Sequence, residues 1–335
     1  MTDNLQILLK EAPTGTLMES HFESKTAPMP TIEDGQILVR TVLISLDAAM
    51  RAWMRGPTYR PQVMPGDVMP AYVFAEVVES KAEGFAPKDC VLGECTWSTY
   101  GVMNAKGARK APPHRPASNL ISVLGIAGLT AYWGLLDIGQ PKEGETVVVS
   151  AAAGSVGAFV GQIAKIKGCR VIGIAGGAEK CAWLTESLGY DAAVDYKAGD
   201  VDAQLEQACP KGIDVYFDNV GGDILQACLP KMRNRGRVVC CGAISQYNAE
   251  EPQSPKGVPG LIVVKRLRME GFIVMDYFGR TAEAAQDLLG WAAQGQLKVV
   301  EDIVDGLENA PSALVGLYAG KNRGKLMVRV APDPA

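Results

Sequence analysis

The sequence predicts an α/β protein: a doubly wound parallel sheet in one domain and a β-rich fold in the other. Three observations predict it. An apolar run starting at Thr146 breaks at Gly154 and Gly157 and turns helical, strand and helix periods alternate from there onward, and the first third of the chain carries short strand patterns bounded by Gly and Pro.

Composition sets the limits. A chain of 335 residues, 47% hydrophobic, suits two domains with sizeable cores, and 37 glycines and 20 prolines mark many turns. A formal charge of -4 and a pI near 5.4 supply no overall attraction to phosphate backbones or anionic membranes, so neither nucleic acid nor membrane is an expected partner. The first residues lack a signal-type apolar core and no apolar run reaches spanning length, which gives a cytoplasmic expectation. The eight cysteines (90, 95, 169, 181, 209, 228, 240 and 241) are scattered without a C-x-x-C pair and read as reduced, mostly buried thiols. His21 and His114 are the only histidines, far apart and outside any ligand cluster. No metal site and no histidine-based triad are expected, and both histidines read as loop or surface residues.

In chain order, 36–44, 71–79 and 89–92 read as strands, separated by Glu33-Asp-Gly35, Pro65-Gly-Asp67 and Phe85-Ala-Pro87. That pattern makes residues 1–123 a β-rich barrel or sandwich. The cluster Ala111-Pro-Pro-His-Arg-Pro116 ends its main body. Residues 124–136 are apolar with Gly and Ala at helical spacings and open the second domain, 124–296. Its strands read as 146–150, 170–175, 192–195, 213–218, 236–241 and 267–274, with helices between the earlier ones and a last helix at 281–294. Such alternation gives a parallel sheet covered on both faces, with ligands at the carboxyl ends of its strands. Residues 297–335 return to strand, helix and strand, and the last strand is expected to rejoin the first domain.

The stretch Ala151-Ala-Ala-Gly-Ser-Val-Gly157 is the element to which function attaches. Small residues between a strand and a helix let the backbone approach a pyrophosphate at the helix N-terminus. The usual three-glycine pattern has Ala152 at its first position here, and the plainer reading is an ordinary tight turn; the βαβ surroundings favour a dinucleotide. In such folds an acid near the end of the second strand binds the ribose 2′-hydroxyl, whereas a basic residue accommodates a 2′-phosphate. Here Ala175-Gly-Gly-Ala-Glu-Lys180 offers Lys180, with Glu179 as its rival. A charged hydrogen bond of ~1.5 to 3 kcal/mol corresponds to roughly a ten- to hundred-fold preference, so NADP(H) is the expected cofactor.

The chain resembles the zinc-independent medium-chain dehydrogenase/reductases, in the group of prostaglandin reductases (leukotriene B4 12-hydroxydehydrogenases), curcumin reductases and plant double-bond reductases. The similar stretches are Leu124-Gly-Ile-Ala-Gly-Leu-Thr-Ala-Tyr132, Ala151 to Gly157, Gly161-Gln-Ile-Ala-Lys165, Tyr216-Phe-Asp-Asn-Val-Gly-Gly222, Cys241-Gly-Ala-Ile-Ser-Gln-Tyr247 and Asn322-Arg-Gly-Lys325. The resemblance implies a GroES-like first domain, a Rossmann second domain, a C-terminal return and a homodimer. It also implies hydride transfer from NADPH to the β-carbon of an α,β-unsaturated ketone or aldehyde. By the same analogy Gly154, Ser155, Val156 and Gly157 hold the pyrophosphate, Lys180 and Tyr196 the adenosine phosphate side, and Asn219 lies near the nicotinamide. Cys241, Gly242, Ala243, Ile244, Ser245, Tyr247, Phe272, Ile273, Val274 and Asn322 line the cofactor. One departure stands out: Val264 occupies a position where many relatives carry a tyrosine beside the nicotinamide.

Hydride addition at the β-carbon pushes charge onto the carbonyl oxygen, which hydrogen-bond donors must stabilise before the α-carbon is protonated. Tyr59, in Met54-Arg-Gly-Pro-Thr-Tyr-Arg-Pro61, and Tyr247 are the candidate donors, alongside a cofactor ribose hydroxyl. Each has a plainer reading, as a packed loop tyrosine or a cofactor contact. Quinone reduction is the alternative chemistry on the same cofactor, and a non-catalytic NADPH-binding protein the alternative class. Residues 248–260, rich in Pro and Gly, read as a loop that shapes the substrate pocket.

Overall fold

The computed structural model describes residues 3–249 and 255–334. It divides into two units: Met1–Ser122 with Glu301–Asn322 and Leu326–Ala335, and Val123–Val300 with Arg323–Lys325.

In the first unit β1 (Asn4–Leu9) pairs antiparallel with β2 (Phe22–Ala27). Strands β3 (Gln36–Ser45), β4 (Pro70–Ser80), β5 (Cys90–Thr96) and β7 (Arg109–Lys110) follow in one antiparallel sheet, with β6 (Tyr100–Asn104) also pairing β3. Ile37, Val39, Val73, Val91 and Trp97 are fully buried in its core. Helix α1 (Ala49–Arg55) carries the fully buried Arg51, whose Nη2 donates to the carbonyls of Pro13 and Gly15, both at 2.9 Å. His21, read as a loop or surface residue, sits in a turn but not at the surface. It is buried, and its Nδ1 accepts the Met18 N–H at 2.9 Å, so the ring closes a turn.

The second unit opens with α2 (Ile126–Trp133), which runs into a π-helical stretch, Gly134–Gly139. A Cβ at Gly128 would lie 1.8 Å from the Val123 carbonyl oxygen, so only glycine lets α2 pack against the segment that leads into it. The alternation then follows as read: β8 (Thr146–Ser150), α3 (Ser155–Ile166), β9 (Arg170–Ala175), α4 (Ala178–Ser187), β10 (Ala192–Asp195), α5 (Val201–Ala208), β11 (Ile213–Asp218), α6 (Gly222–Cys228) and β12 (Met232–Cys240). After α7 (Ile244–Tyr247) and α8 (Val258–Lys265) come β13 (Arg268–Gly271) and α9 (Thr281–Ala293). The sheet order is β10-β9-β8-β11-β12-β13 and every neighbouring pair is parallel. The order reverses between β8 and β11, which puts the ligand crevice of this Rossmann domain above their carboxyl ends. Val147, Val148 and Val149 are fully buried, as a strand covered on both faces requires.

Helix α8 takes up the last three residues of the segment read as a loop over 248–260. Pro259 sits in its first turn, where the missing N–H has no partner to lose; residues 250–254 of that segment lie outside the described residues.

The chain then forms β14 (Glu301–Asp305), α10 (Ala310–Tyr318) and β15 (Lys325–Arg329), and β15 pairs antiparallel with β3 through Met327–Ser45, Val328–Ile44 and Arg329–Leu43. Just before β15, Gly324 forms a parallel bridge with Gly154. Its N–H donates to the Ala153 carbonyl at 3.0 Å, and its own carbonyl accepts from Ser155 Oγ at 3.2 Å. Gly324 has φ +66°, and a Cβ there would lie 2.3 Å from the Val300 carbonyl oxygen. The position therefore demands glycine twice over, by backbone conformation and by space.

Candidate functional site

The glycine turn begins at the end of β8 with Ala151 at φ 47°, a left-handed conformation rare outside glycine. A Cβ at Gly157 would lie 2.4 Å from the Ala151 carbonyl oxygen and 2.7 Å from Ala152 Cα, so α3 starts flush against the turn only because Gly157 has no side chain. Four residues on, Gly161 admits the ring of Tyr190, whose hydroxyl donates to the Gly157 carbonyl at 2.7 Å. The first-turn N–H groups of α3 are thus anchored from behind, with Gly154 as N-cap. Ser155 spends its hydroxyl on Gly324, which leaves its backbone N–H as the group it can offer a phosphate.

At the end of β9 the ring of Tyr196 lies across Gly176, where a Cβ would come within 2.7 Å of it. Tyr196 is itself 48% exposed. Two carboxylates near this strand end are engaged. Asp195 Oδ1 accepts the N–H groups of Gly177 at 2.7 Å and Lys197 at 2.9 Å, and Glu179 is bonded to Arg323. Lys180 sits partly buried in the first turn of α4.

The loops after β11 and β12 are fastened together, and Asp218 is the fastener. Its Oδ1 accepts from Tyr216 Oη (2.8 Å), Gly221 N (2.9 Å), Val220 N (3.0 Å) and Ser150 Oγ (3.2 Å). Its carbonyl accepts the N–H groups of Cys241 (2.9 Å) and Gly242 (3.1 Å). Burial holds the Asp218 carboxyl above the usual carboxylate range despite these donors. Asn219 is locked to β8 through Nδ2 to the Ser150 carbonyl (2.8 Å) and its own N–H to Ser150 Oγ (2.9 Å). In return its carbonyl takes the Ile244 N–H (3.2 Å), and Ser245 Oγ donates to the Val220 carbonyl (2.6 Å). Tyr247 Oη accepts the Ala243 N–H at 3.2 Å and closes the loop on itself; burial raises its pKa, so it stays a protonated donor. Burial also pushes the thiols of Cys240 and Cys241 up to about 11 and about 12, which removes them as nucleophiles at neutral pH.

Phe272, Ile273 and Val274 follow β13. The Phe272 ring occupies the space left by Gly134, where a Cβ would lie 2.4 Å from it, and meets Phe217 edge-on at 6.5 Å. Tyr277 then stacks on Trp133 at 5.0 Å.

Comparison with known proteins decides the family. The chain is 45% identical to the NADPH-dependent curcumin reductase of Escherichia coli (strain K12), across 98% of each chain. It belongs to the medium-chain dehydrogenase/reductases. It is also 39% identical to a 2-alkenal reductase (NADP(+)-dependent) of Nicotiana tabacum, again across 98% of each. The solved structure of CurA in complex with NADPH from Vibrio vulnificus matches it with a TM-score of 0.93 at 42% identity, covering 98% of this chain and all of that one. Two family models match, the N-terminal domain of oxidoreductase over residues 5–111 and zinc-binding dehydrogenase over residues 155–293.

The second description refers to a zinc ion. Among the described residues no three His, Cys, Asp or Glu side chains are grouped to hold one, and the cysteine thiols of the second unit have pKa values raised by burial. A dinucleotide does fit: Gly157 and Gly154 let the turn close on itself, with a Cβ at either meeting the Ala151 carbonyl oxygen, so the N-terminus of α3 can present its backbone N–H groups to a phosphate.

Of the residues named from the sequence, Gly154 to Gly157, Lys180, Tyr196, Asn219, Cys241 to Ser245, Tyr247 and Phe272 to Val274 lie in the second unit. Tyr59 and Asn322 lie in the first. Tyr59 is 49% exposed, its hydroxyl accepts from Trp53 Nε1 at 3.1 Å, and Arg60 lies 4.5 Å over the Trp53 ring. Asn322 is buried. Sequence reasoning missed Asp218, Ser150 and Arg323. The first two lay inside strand patterns, where a polar residue at the carboxyl end was the available signal.

Proposed function

We propose that the protein reduces the C=C bond of α,β-unsaturated ketones and aldehydes with NADPH. The observation that carries this reading is identity at 39–45% over nearly the whole chain to reductases named for curcumin and for 2-alkenals. The bare glycine turn and the loops fixed by Asp218 supply the matching cofactor architecture.

When bound, NADPH supplies the hydride. The chain's own residues orient the reaction: the α3 N-terminus faces the pyrophosphate, and Asn219 and the 241–247 loop set the nicotinamide end. Tyr59 donates a hydrogen bond to the carbonyl oxygen as charge develops there. The bond it accepts from Trp53 Nε1 polarises its O–H and strengthens it as a donor. Tyr247 keeps the cofactor loop closed. Val264 has no hydroxyl with which to take the role of the relatives' tyrosine, so the α-carbon receives its proton from solvent. Losing one such donor costs ~2.7 to 4 kcal/mol in oxyanion sites. Tyr59→Phe is therefore expected to lower kcat at least about 100-fold with the NADPH Kd unchanged. Pre-steady-state and titration measurements on the same preparation check it, and an unaltered kcat would remove Tyr59 from the reaction.

The deciding experiment is NADPH oxidation with a small aryl enone, run in parallel with NADH and followed by product identification. A saturated ketone formed preferentially with NADPH supports C=C reduction. An allylic alcohol means carbonyl reduction, and consumption of a quinone alone transfers the assignment to quinone reduction.

The reading extends to a metal-free cytoplasmic homodimer. No described helix is long and apolar enough to cross a membrane. Strand β13 is an edge of the six-stranded sheet, and Val263 and Val264 of the neighbouring α8 are 73% and 68% exposed, an apolar patch that a second copy would cover. Light scattering is expected to report twice the chain mass, and Val264→Glu to shift it toward the monomer; a monomeric wild type would refute the dimer.

A further inference from the structure

We propose that Arg323 and Glu179 form a latch that selects the 2′-phosphate of NADPH, an inference that rests on the NADPH reading above. The adenosine ribose of a Rossmann-bound dinucleotide lies just beyond the second strand, here β9, at the first turn of the helix that follows. That helix is α4, and Arg323 reaches its first turn from far along the chain: Nη2 bonds Glu179 Oε1, with the guanidinium 6.0 Å from the Trp183 ring centre.

The placement is built rather than incidental. The residue after Arg323 is Gly324, clamped by its N–H to Ala153, by its carbonyl to Ser155 Oγ and by its bridge to Gly154. The backbone that carries the guanidinium is thus fixed to the phosphate turn itself. The partners differ in freedom: the Glu179 side chain is 86% exposed and the Arg323 side chain 37%. Glu179 can swing into water while Arg323 stays.

The chemistry then runs in one direction. A guanidinium binds a phosphate with its fork of donors more strongly than a single carboxylate oxygen, and a 2′-phosphate brings more charge than a carboxylate. The phosphate displaces Glu179 and takes Arg323 alongside Lys180. NADH has nothing to offer the guanidinium, and Glu179, held by Arg323, is withheld from its ribose 2′-hydroxyl. Arg323 therefore raises affinity for the phosphorylated cofactor and denies the plain one its usual acidic partner.

The test is calorimetry on the full chain with 2′,5′-ADP and 5′-AMP as probes. Wild type is expected to prefer 2′,5′-ADP. Arg323→Ala should weaken 2′,5′-ADP about ten-fold and leave 5′-AMP unchanged or slightly tighter, while Arg323→Lys restores part of the loss. Glu179→Gln tests the latch without touching Arg323: it should tighten 2′,5′-ADP in wild type and have no effect in the Arg323→Ala background. Equal weakening of both probes by Arg323→Ala, or no weakening of either, overturns the latch while the NADPH reading stands. A wild type that binds both probes equally overturns both.

Discussion

Gly157→Ala is expected to raise the Kd for NADPH at least about 100-fold, corresponding to roughly 2.7 kcal/mol, and to lower the Tm of the Rossmann domain. The added methyl would sit 2.4 Å from the Ala151 carbonyl oxygen and 3.0 Å from its carbonyl carbon. These are backbone atoms of a turn already held in a left-handed conformation, so no side-chain rotation relieves the clash. The turn must open, and the N–H groups of α3 then lose their aim. A stability loss of about 3 kcal/mol is expected for overpacking against backbone, or roughly 6–12 °C in a domain of this size. Gly290→Ala in α9 is the control: nothing lies within 4 Å of a Cβ there, and alanine is the better helix former, so stability should hold or rise by up to about 1 kcal/mol. Calorimetric melting and fluorescence titration read both variants; identical behaviour of the two would refute the steric argument.

The second large effect is expected at Asp218. Asp218→Ala strands Tyr216 Oη and the N–H groups of Val220 and Gly221 in a region where Asp218 itself is only 2% exposed, while Ser150 Oγ keeps the Phe217 carbonyl as acceptor. An unsatisfied buried donor costs about 1–3 kcal/mol, so a loss of about 4 kcal/mol or more follows, with cofactor affinity falling as both loops loosen. Asp218→Asn keeps one acceptor oxygen and should lose much less. The two also differ in pH dependence. Burial raises the folded-state pKa of Asp218 above the ordinary value of about 3.9. The native state therefore keeps this proton at pH values where the unfolded chain has released it. Stability from this group is fully present below the unfolded value and falls as pH rises through the raised folded one. Denaturant midpoints from pH 4 to 7 should show the wild-type advantage over Asp218→Asn shrinking with rising pH; an advantage that grows would reverse the assignment.

Much of the fold was legible because parallel strands covered on both faces must be continuously apolar. The runs Val147-Val-Val149, Ile172 to Ile174 and Val215 to Phe217 have few other stable homes. The ends of β12 and β13 were less legible. β12 begins at Met232, four residues earlier than its apolar run: Met232 pairs with Ile213, the register shifts before Arg237 meets Val215, and Arg233 in the polar segment between them is held by its ion pair with Asp214. Helix α8 was hidden by Pro and Gly, which mark turns in sequence but sit comfortably in a first helical turn. Within the candidate site the glycines and the Asn219 and Cys241 loops announced themselves as strand ends. Asp218 did not, since its importance lies in how many donors converge on one oxygen. Arg323 was invisible for a different reason: nothing local to Asn322-Arg-Gly-Lys325 says which distant turn it joins.

That last junction bears on how the molecule is made. Ser155 and Gly324 meet across 169 residues of chain. A nascent polypeptide emerging from the ribosome can form β8, α3 and β9 early, yet the turn between β8 and α3 lacks its final strand of support until almost everything else has been synthesised. Occupancy by the nucleotide is therefore a late event of biogenesis, and a ribosome stalled before Gly324 would display a folded sheet that does not hold its cofactor.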